Sequence, residues 1–309
     1  MTATLASHDP VLAEFAAEVG ADGPVAVAGG RTRWTVGGPL DPGARVLSAP
    51  TGVVDYKPEE MTIQVRTGTT VAELDETLAA KGQRCALPDR GGTIGGALAT
   101  GENDHRALGR GLVRHAVLQV RYVSDQGRVI ASGGPTVKNV TGFDLPRLMV
   151  GSLGTLGLLA EVILRTNPVP AVSRWLRADG ADPRAAQEAV LAPAAVLWDG
   201  SSTWIQLEGH GVDVDDAERA LAAAGSFVEV EGPPPLPTNR WALTPAEVLT
   251  LDADRCGRFV AAVGLGLVWA EQPAPEPTID PAVRTVARRV KDNFDPTGRL
   301  NPGRDPYRA

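Results

Sequence analysis

Three glycines spaced three residues apart, in Gly151-Ser-Leu-Gly-Thr-Leu-Gly157, constrain this chain more than any other feature. A residue without Cβ lets backbone N–H groups approach a neighbour closely, and it adopts backbone angles closed to other residues. Such a ladder serves either a bulged, tightly packed turn or a backbone surface laid against something flat or phosphorylated. It follows the rare run Thr136-Val-Lys-Asn-Val-Thr-Gly-Phe-Asp144, and with four lysines in 309 residues Lys138 is not background. Lys138 has two open roles: an ion pair with Asp144 that locks a turn, or a cation presented to a ligand.

Apolar runs persist along the chain, so 35 glycines and 25 prolines mean many tight turns, with length enough for two domains. A net charge of −7 leaves no basic stripe and argues against nucleic acid as a partner. Residues 1–10 show no basic-then-apolar signal. The longest nearly uncharged stretch, 148–164, contains Glu161 and falls short of a membrane span. The expectation is a cytoplasmic protein with no direct membrane insertion, peripheral at most through partners. Cys85 and Cys256 lie far apart without Cys-x-x-Cys spacing, so no zinc or iron–sulfur site is expected. Neither G-x-G-x-x-G nor G-x-x-x-x-G-K-[ST] occurs.

Asp9, Pro10 and the apolar residues Leu12, Phe15, Ala16 and Val19 spell a short helix that Gly20 ends. A buried strand at 25–28 runs into Gly29-Gly-Arg-Thr32, and strands follow near Val46 and at 63–66. Thr70-Val-Ala-Glu73 is a capping box opening a helix. Residues 91–101 read as a turn entering a short helix, 117–123 and 129–131 as a hairpin around Asp125-Gln-Gly127, and 157–165 as a strand. Beyond Asn167 the order becomes β-α-β-β-α-β up to Val230, a ferredoxin-like arrangement. Residues 233–237 read as a stiff linker, 259–270 as two strands around Gly264, and 281–293 as a last helix.

Four segments occur in a telling order: Val25-Ala-Val-Ala-Gly-Gly-Arg-Thr32, Thr93-Ile-Gly-Gly96, the 136–157 pair, and Asp295-Pro-Thr-Gly-Arg-Leu-Asn-Pro-Gly-Arg304. Together they resemble the FAD-binding domain of the vanillyl-alcohol oxidase/PCMH superfamily, and within it the FAD-binding (E) subunits of glycolate oxidase. The resemblance covers residues 20–170 and the last dozen. It implies an α+β fold: a PCMH-type FAD-binding domain of two α+β subdomains over 1–170, a ferredoxin-like cap for substrate or partner over 171–274, and a C-terminal helix and tail, 275–309, returning to the FAD domain.

By the same resemblance Gly29, Gly30, Arg31 and Thr32 cradle the FAD diphosphate, and Thr93, Gly95 and Gly96 offer a helix N-terminus to an anion. Arg106 and Gly109 run past the flavin. Gly151, Gly154 and Thr155 pack along the cofactor, and Val162 touches it through its backbone. Lys138 and Asn139 belong to the glycolate oxidase subunits, with Lys138 a cation near the flavin N1–C2=O edge. Asn301 and Arg304 reach the ring or a substrate carboxylate. Arg31 departs from the pattern, standing where a small residue is usual; it either pairs with phosphate or points to solvent. His115 stands where the family has an acid. The histidine that links flavin covalently is missing from the Gly29 loop, so FAD is expected to be held non-covalently.

The resemblance implies an FAD-dependent oxidoreductase acting on the CH–OH group of a 2-hydroxy acid, glycolate or D-lactate. Its flavin would accept hydride and pass electrons to a catalytic flavoprotein chain and an iron–sulfur chain of the same complex. A non-catalytic FAD-binding assembly subunit and a stand-alone oxidase using O₂ are the alternatives. Catalytic candidates are Lys138, Arg304 and His105, the one histidine whose position brings it toward the flavin. The four histidines are dispersed and suggest no metal site.

Overall fold

The computed structural model describes residues 9–135 and 144–308. The chain divides into two units, Met1–Asn103 with Val113–Pro168 and Glu276–Ala309, and Asp104–Leu112 with Val169–Pro275.

In the first unit β1 (Val25–Val27) and β2 (Arg45–Leu47) pair in parallel. The strands β3 (Val53–Lys57), β4 (Thr62–Arg66), β6 (Val117–Val123), β7 (Val129–Gly133) and β8 (Leu158–Arg165) form an antiparallel sheet ordered β3-β4-β8-β6-β7. A short β5 (Gln83–Arg84) pairs with β9 (Asn167–Pro168). The central β8 is buried at seven of its eight positions, as a strand covered on both faces must be. One face packs Ile63, Val65, Val120 and Val162 against Leu74 and Leu78 of the Val71–Ala79 helix and against Ile94 and Leu98 of the Ile94–Thr100 helix. The other packs Val123, Leu158 and Ala160 against Leu12, Phe15 and Val19 of the Pro10–Val19 helix and against Val25. Local chemistry starts these helices. The Asp9 carboxylate accepts from Val11 N, and Thr70 and Glu73 cap each other reciprocally.

The C-terminal signature is an anchor. Asp295 accepts the N–H groups of Arg299 and Leu300 and the ammonium of Lys291. The Arg299 guanidinium donates to five carbonyls, those of Val19, Gly20, Asp22, Gly23 and Asp125. Val25 N donates to Arg299 O and Asn301 N to Val25 O, which lays the tail beside β1.

The second unit is built on β10 (Val172–Asp179), β11 (Ala195–Trp198), β12 (Ser202–Gly209), β13 (Val228–Val230), β14 (Asn239–Ala242), β15 (Phe259–Ala262) and β16 (Leu267–Ala270). They form one antiparallel sheet ordered β13-β10-β12-β11-β15-β16-β14. Helices Pro183–Ala189 and Gly211–Leu221 pack on the face of Leu176, Val196 and Ile205. Trp175, Leu197, Trp204 and Trp269 cluster on the opposite face. Up to Val230 the expected β-α-β-β-α-β order is present, with β13-β10-β12-β11 adjacent in the sheet; β15, β16 and β14 widen it to seven strands, and residues 233–237, read as a linker, lead into β14. The reason is the edge of β11: it is buried along Ala195–Leu197, and β15 pairs with it instead of leaving it open.

Candidate cofactor cleft

Segments of the first unit converge on a cleft of about 330 Å³. They are the turn after β1, the chain ends beyond β2 and β4, the Ile94–Thr100 helix with its cap Thr93, the Leu153-Gly154 turn, and the tail at Asn301 and Arg304.

The turn after β1 carries the open chemistry. Gly29 and Gly30 let it pass the neighbouring turn: an added Cβ would lie 2.2 Å from Thr93 Oγ1 at Gly29 and 2.8 Å from Gly92 Cα at Gly30. Arg31 then takes a left-handed φ of 55°, a strained conformation for a residue with a Cβ. The N–H groups of Gly29, Gly30, Arg31 and Thr32 have no acceptor among the described residues. Successive unpaired N–H groups about a left-handed residue make an anion-binding concavity. Two guanidiniums approach the Trp34 ring, with Arg31 Cζ 5.1 Å and Arg304 Cζ 4.8 Å from its centre. Arg304 is held there by the carbonyls of Val36 and Gly38, and burial lowers its pKa from the ordinary guanidinium value.

Thr93, Gly95 and Gly96 line the same cleft, but three N–H groups of this helix start already have acceptors within the chain. Ile94 N donates to Thr69 O (2.9 Å), Gly95 N to Thr67 O (2.7 Å) and Gly96 N to Thr93 Oγ1 (3.2 Å). Two of these acceptors are carbonyls just beyond β4, while the N–H groups of Gly92 and Thr93 have no acceptor among the described residues.

Gly154 faces the cleft with φ 69°, and its missing Cβ leaves room for Asn301, whose Nδ2 would lie 2.2 Å from such an atom. Asn301 Nδ2 donates to Leu153 O (2.8 Å), and its Oδ1 accepts from Val27 N (3.3 Å). Gly151 and Thr155 lie away from the cleft, along a groove formed with the Pro281–Phe294 helix, where Thr155 O accepts from Lys291 Nζ (2.7 Å). Val162 is mid-strand, with Val65 and Val120 opposite it on either side and its side chain in the core. Lys138 and Asn139 lie outside the described residues, while Asp144 pairs with Arg147 at 3.0 Å.

His105, Arg106 and Gly109 belong to the second unit. The His105 ring sits 5.9 Å from that of Trp175 and 6.1 Å from that of Trp269, with Nδ1 buried and unpartnered. Burial pushes its pKa down to about 4, so the imidazole is neutral at physiological pH. Arg106 is paired with Asp104 at 2.8 Å, and Gly109 N donates to Ala194 O. Among the described residues no group of three or more His, Cys, Asp or Glu could hold a metal ion, and no helix is long and apolar enough to cross a membrane.

Sequence reasoning passed over Arg33. Its side chain lines the cleft at 6% exposure, its Nε pairs with Glu102 at 3.0 Å, and its Nη2 is buried without a partner. Nothing in the sequence singles it out from other arginines.

A family model described as an FAD binding domain matches residues 3–133. That stretch is an FAD-binding domain. The chain is 28% identical to glycolate oxidase subunit GlcE of Escherichia coli (strain K12), over 91% of this chain and 92% of that protein. It is 32% identical to glycolate oxidase subunit GlcD of Bacillus subtilis over 41% of this chain, and 37% identical to a D-lactate dehydrogenase of Archaeoglobus fulgidus over 33%. It spans 27% and 23% of the length of those two proteins. The FAD-binding domain and the rest of the chain share their fold with alkyldihydroxyacetonephosphate synthase: TM-score 0.66 at 16% identity, over 96% of this chain and 74% of the synthase.

Proposed function

We propose that the chain holds FAD non-covalently in this cleft, as the FAD-binding chain of an oxidoreductase acting on the CH–OH group of a 2-hydroxy acid, glycolate or D-lactate. The observation that carries the placement is the donor set: four successive N–H groups without acceptors among the described residues, beside the Nη2 of Arg33, which has no partner among them either. Peptide donors and a guanidinium fit the two phosphates, the charged part of FAD. The cradle fits as well, because a Cβ at Gly29 or Gly30 would collide with the turn behind it. No histidine, cysteine or tyrosine is among the described residues lining the cleft, which supports non-covalent binding.

When bound, FAD supplies the two-electron acceptor; the chain supplies position and charge. Arg304, fixed on Trp34 with no carboxylate partner among the described residues, keeps a cation available for an anionic group. Neutral His105 is the candidate acceptor of the hydroxyl proton, and Lys138 the candidate cation for the reduced ring. The chain's two cysteines are separate buried thiols. Onward transfer therefore falls to partner chains in the cytoplasm, a catalytic flavoprotein chain and an iron–sulfur chain. Similarity to two different glycolate oxidase subunits supports a complex of several chains.

The test is an anaerobic visible spectrum of the purified chain before and after adding glycolate or D-lactate. Flavin bands that bleach only when partner chains are present are the expected result. Bleaching by substrate in the isolated chain would make it a self-sufficient enzyme. No flavin after soaking in FAD would overturn the reading.

A further inference from the structure

We propose that Arg33 reads the cofactor phosphate, donating its Nη2 to the diphosphate; this deepens the FAD reading above and rests on it. Three contacts fix the guanidinium plane: Nε to Glu102 Oε2 at 3.0 Å, and Nη1 to Gly91 O at 2.9 Å and Thr32 Oγ1 at 3.2 Å. With the fork pinned, Nη2 has one direction available. It is buried in a side chain that is 6% exposed, and it meets no acceptor. Folded proteins rarely leave a buried charged donor unpaired, because its lost hydration is not replaced. The side chain lines the cleft, and a ligand phosphate there is the acceptor this proposal gives to Nη2.

Charge says which kind of atom. Glu102 is shared between Arg33 and Arg90, which approaches it at 2.8 Å. With one carboxylate facing both guanidiniums, an anion is the ligand group that suits the free edge of Arg33. The unpaired N–H groups of residues 29–32 belong to the same turn, so one anion can take backbone and side-chain donors together. Arg31, the residue the sequence brings forward, is exposed and stacked on Trp34. The structure gives the phosphate to its neighbour instead, and makes Glu102 a positioning residue.

The experiment measures equilibrium binding of FAD and of riboflavin, which lacks both phosphates, to the full-length apoprotein and to Arg33→Met, Arg33→Lys and Glu102→Gln. Arg33→Met is expected to weaken FAD by about 10- to 100-fold, the range for one hydrogen bond to a charged group, and to leave riboflavin unchanged. Arg33→Lys keeps the charge but not the fork, and should lose much of the same affinity; it carries the test if the Met variant does not fold. Glu102→Gln should fall between them and the wild type. Added salt should weaken FAD binding less in Arg33→Met than in the wild type. Unchanged FAD affinity would overturn the proposal, as would equal losses for FAD and riboflavin, which mean a collapsed cleft. A wild-type chain that binds neither flavin sinks the cofactor reading itself, and that result is visible before any variant is made.

Discussion

Two glycine-rich segments contribute to the cleft and look alike in sequence, Gly29-Gly30 after β1 and Gly91 to Gly96, which runs through the cap Thr93 into the Ile94–Thr100 helix. In the first, four consecutive N–H groups have no acceptor among the described residues. In the second, the N–H groups of Ile94, Gly95 and Gly96 go to Thr69 O, Thr67 O and Thr93 Oγ1. A glycine records that something comes close to the backbone; it does not record what. At Gly95 the close neighbour is Thr67 O, 3.0 Å from where a Cβ would sit, and at Gly29 it is Thr93 Oγ1. One turn is a socket and the other is the wall behind it, locked together by the atoms that glycine leaves out.

The largest effect should come from Gly30→Val. Its Cβ would lie 2.8 Å from Gly92 Cα, a backbone atom that cannot turn away, so the socket must separate from the wall. The variant is expected to purify colourless, with near-wild-type far-ultraviolet circular dichroism. A yellow Gly30→Val protein with full flavin occupancy would break the contrast between the two turns.

How far the sequence reached follows the same line. The Pro10–Val19 and Val71–Ala79 helices were legible because Asp9, Thr70 and Glu73 act on N–H groups two or three residues away. The β6–β7 hairpin was legible from its turn residues. By contrast β3 carries no apolar alternation, being exposed or half-buried throughout, so nothing marked it. The width of the second sheet depends on β15 finding β11, a pairing no local pattern announces. In the cleft the glycines were legible as close approaches, but their partners were not. Gly154 lines the cleft and also accommodates Asn301 Nδ2, and the N–H groups of Ile94 and Gly95 go to carbonyls of Thr69 and Thr67, partners that no local pattern announces. Arg33 was invisible, because an unpaired Nη2 is a property of packing.

A smaller effect probes the tail that closes the cleft. Asn301 sits at a left-handed φ of 45°, where Asn is tolerated better than most residues, and its amide ties Leu153 to Val27. Asn301→Gly keeps the backbone angle and loses both hydrogen bonds, so unfolding in urea should show a loss of about 1–3 kcal/mol. Gly154→Ala should cost a similar amount in the wild-type background, from a Cβ 2.2 Å from Asn301 Nδ2 and from strain at φ 69°. Combined with Asn301→Gly, it should cost less than in the wild type, because the colliding amide is gone. Additive losses would mean that the two residues do not share the space the structure gives them.

The smallest effect is the most discriminating. Thr93 Oγ1 accepts from Gly96 N at 3.2 Å, and the side chain fills the room left by Gly29. Thr93→Ala should therefore destabilise the fold by about 1 kcal/mol, the usual value of a lost N-cap. It should shift FAD affinity by less than about 3-fold, since neighbouring N–H groups stay on the carbonyls of Thr67 and Thr69. Stability and affinity measured on one preparation separate wall from socket: Arg33→Met moves affinity far more than stability, and Thr93→Ala does the reverse. If Thr93→Ala weakens FAD as much as Arg33→Met, the helix terminus gives up its protein acceptors when FAD binds, and the two turns are one site.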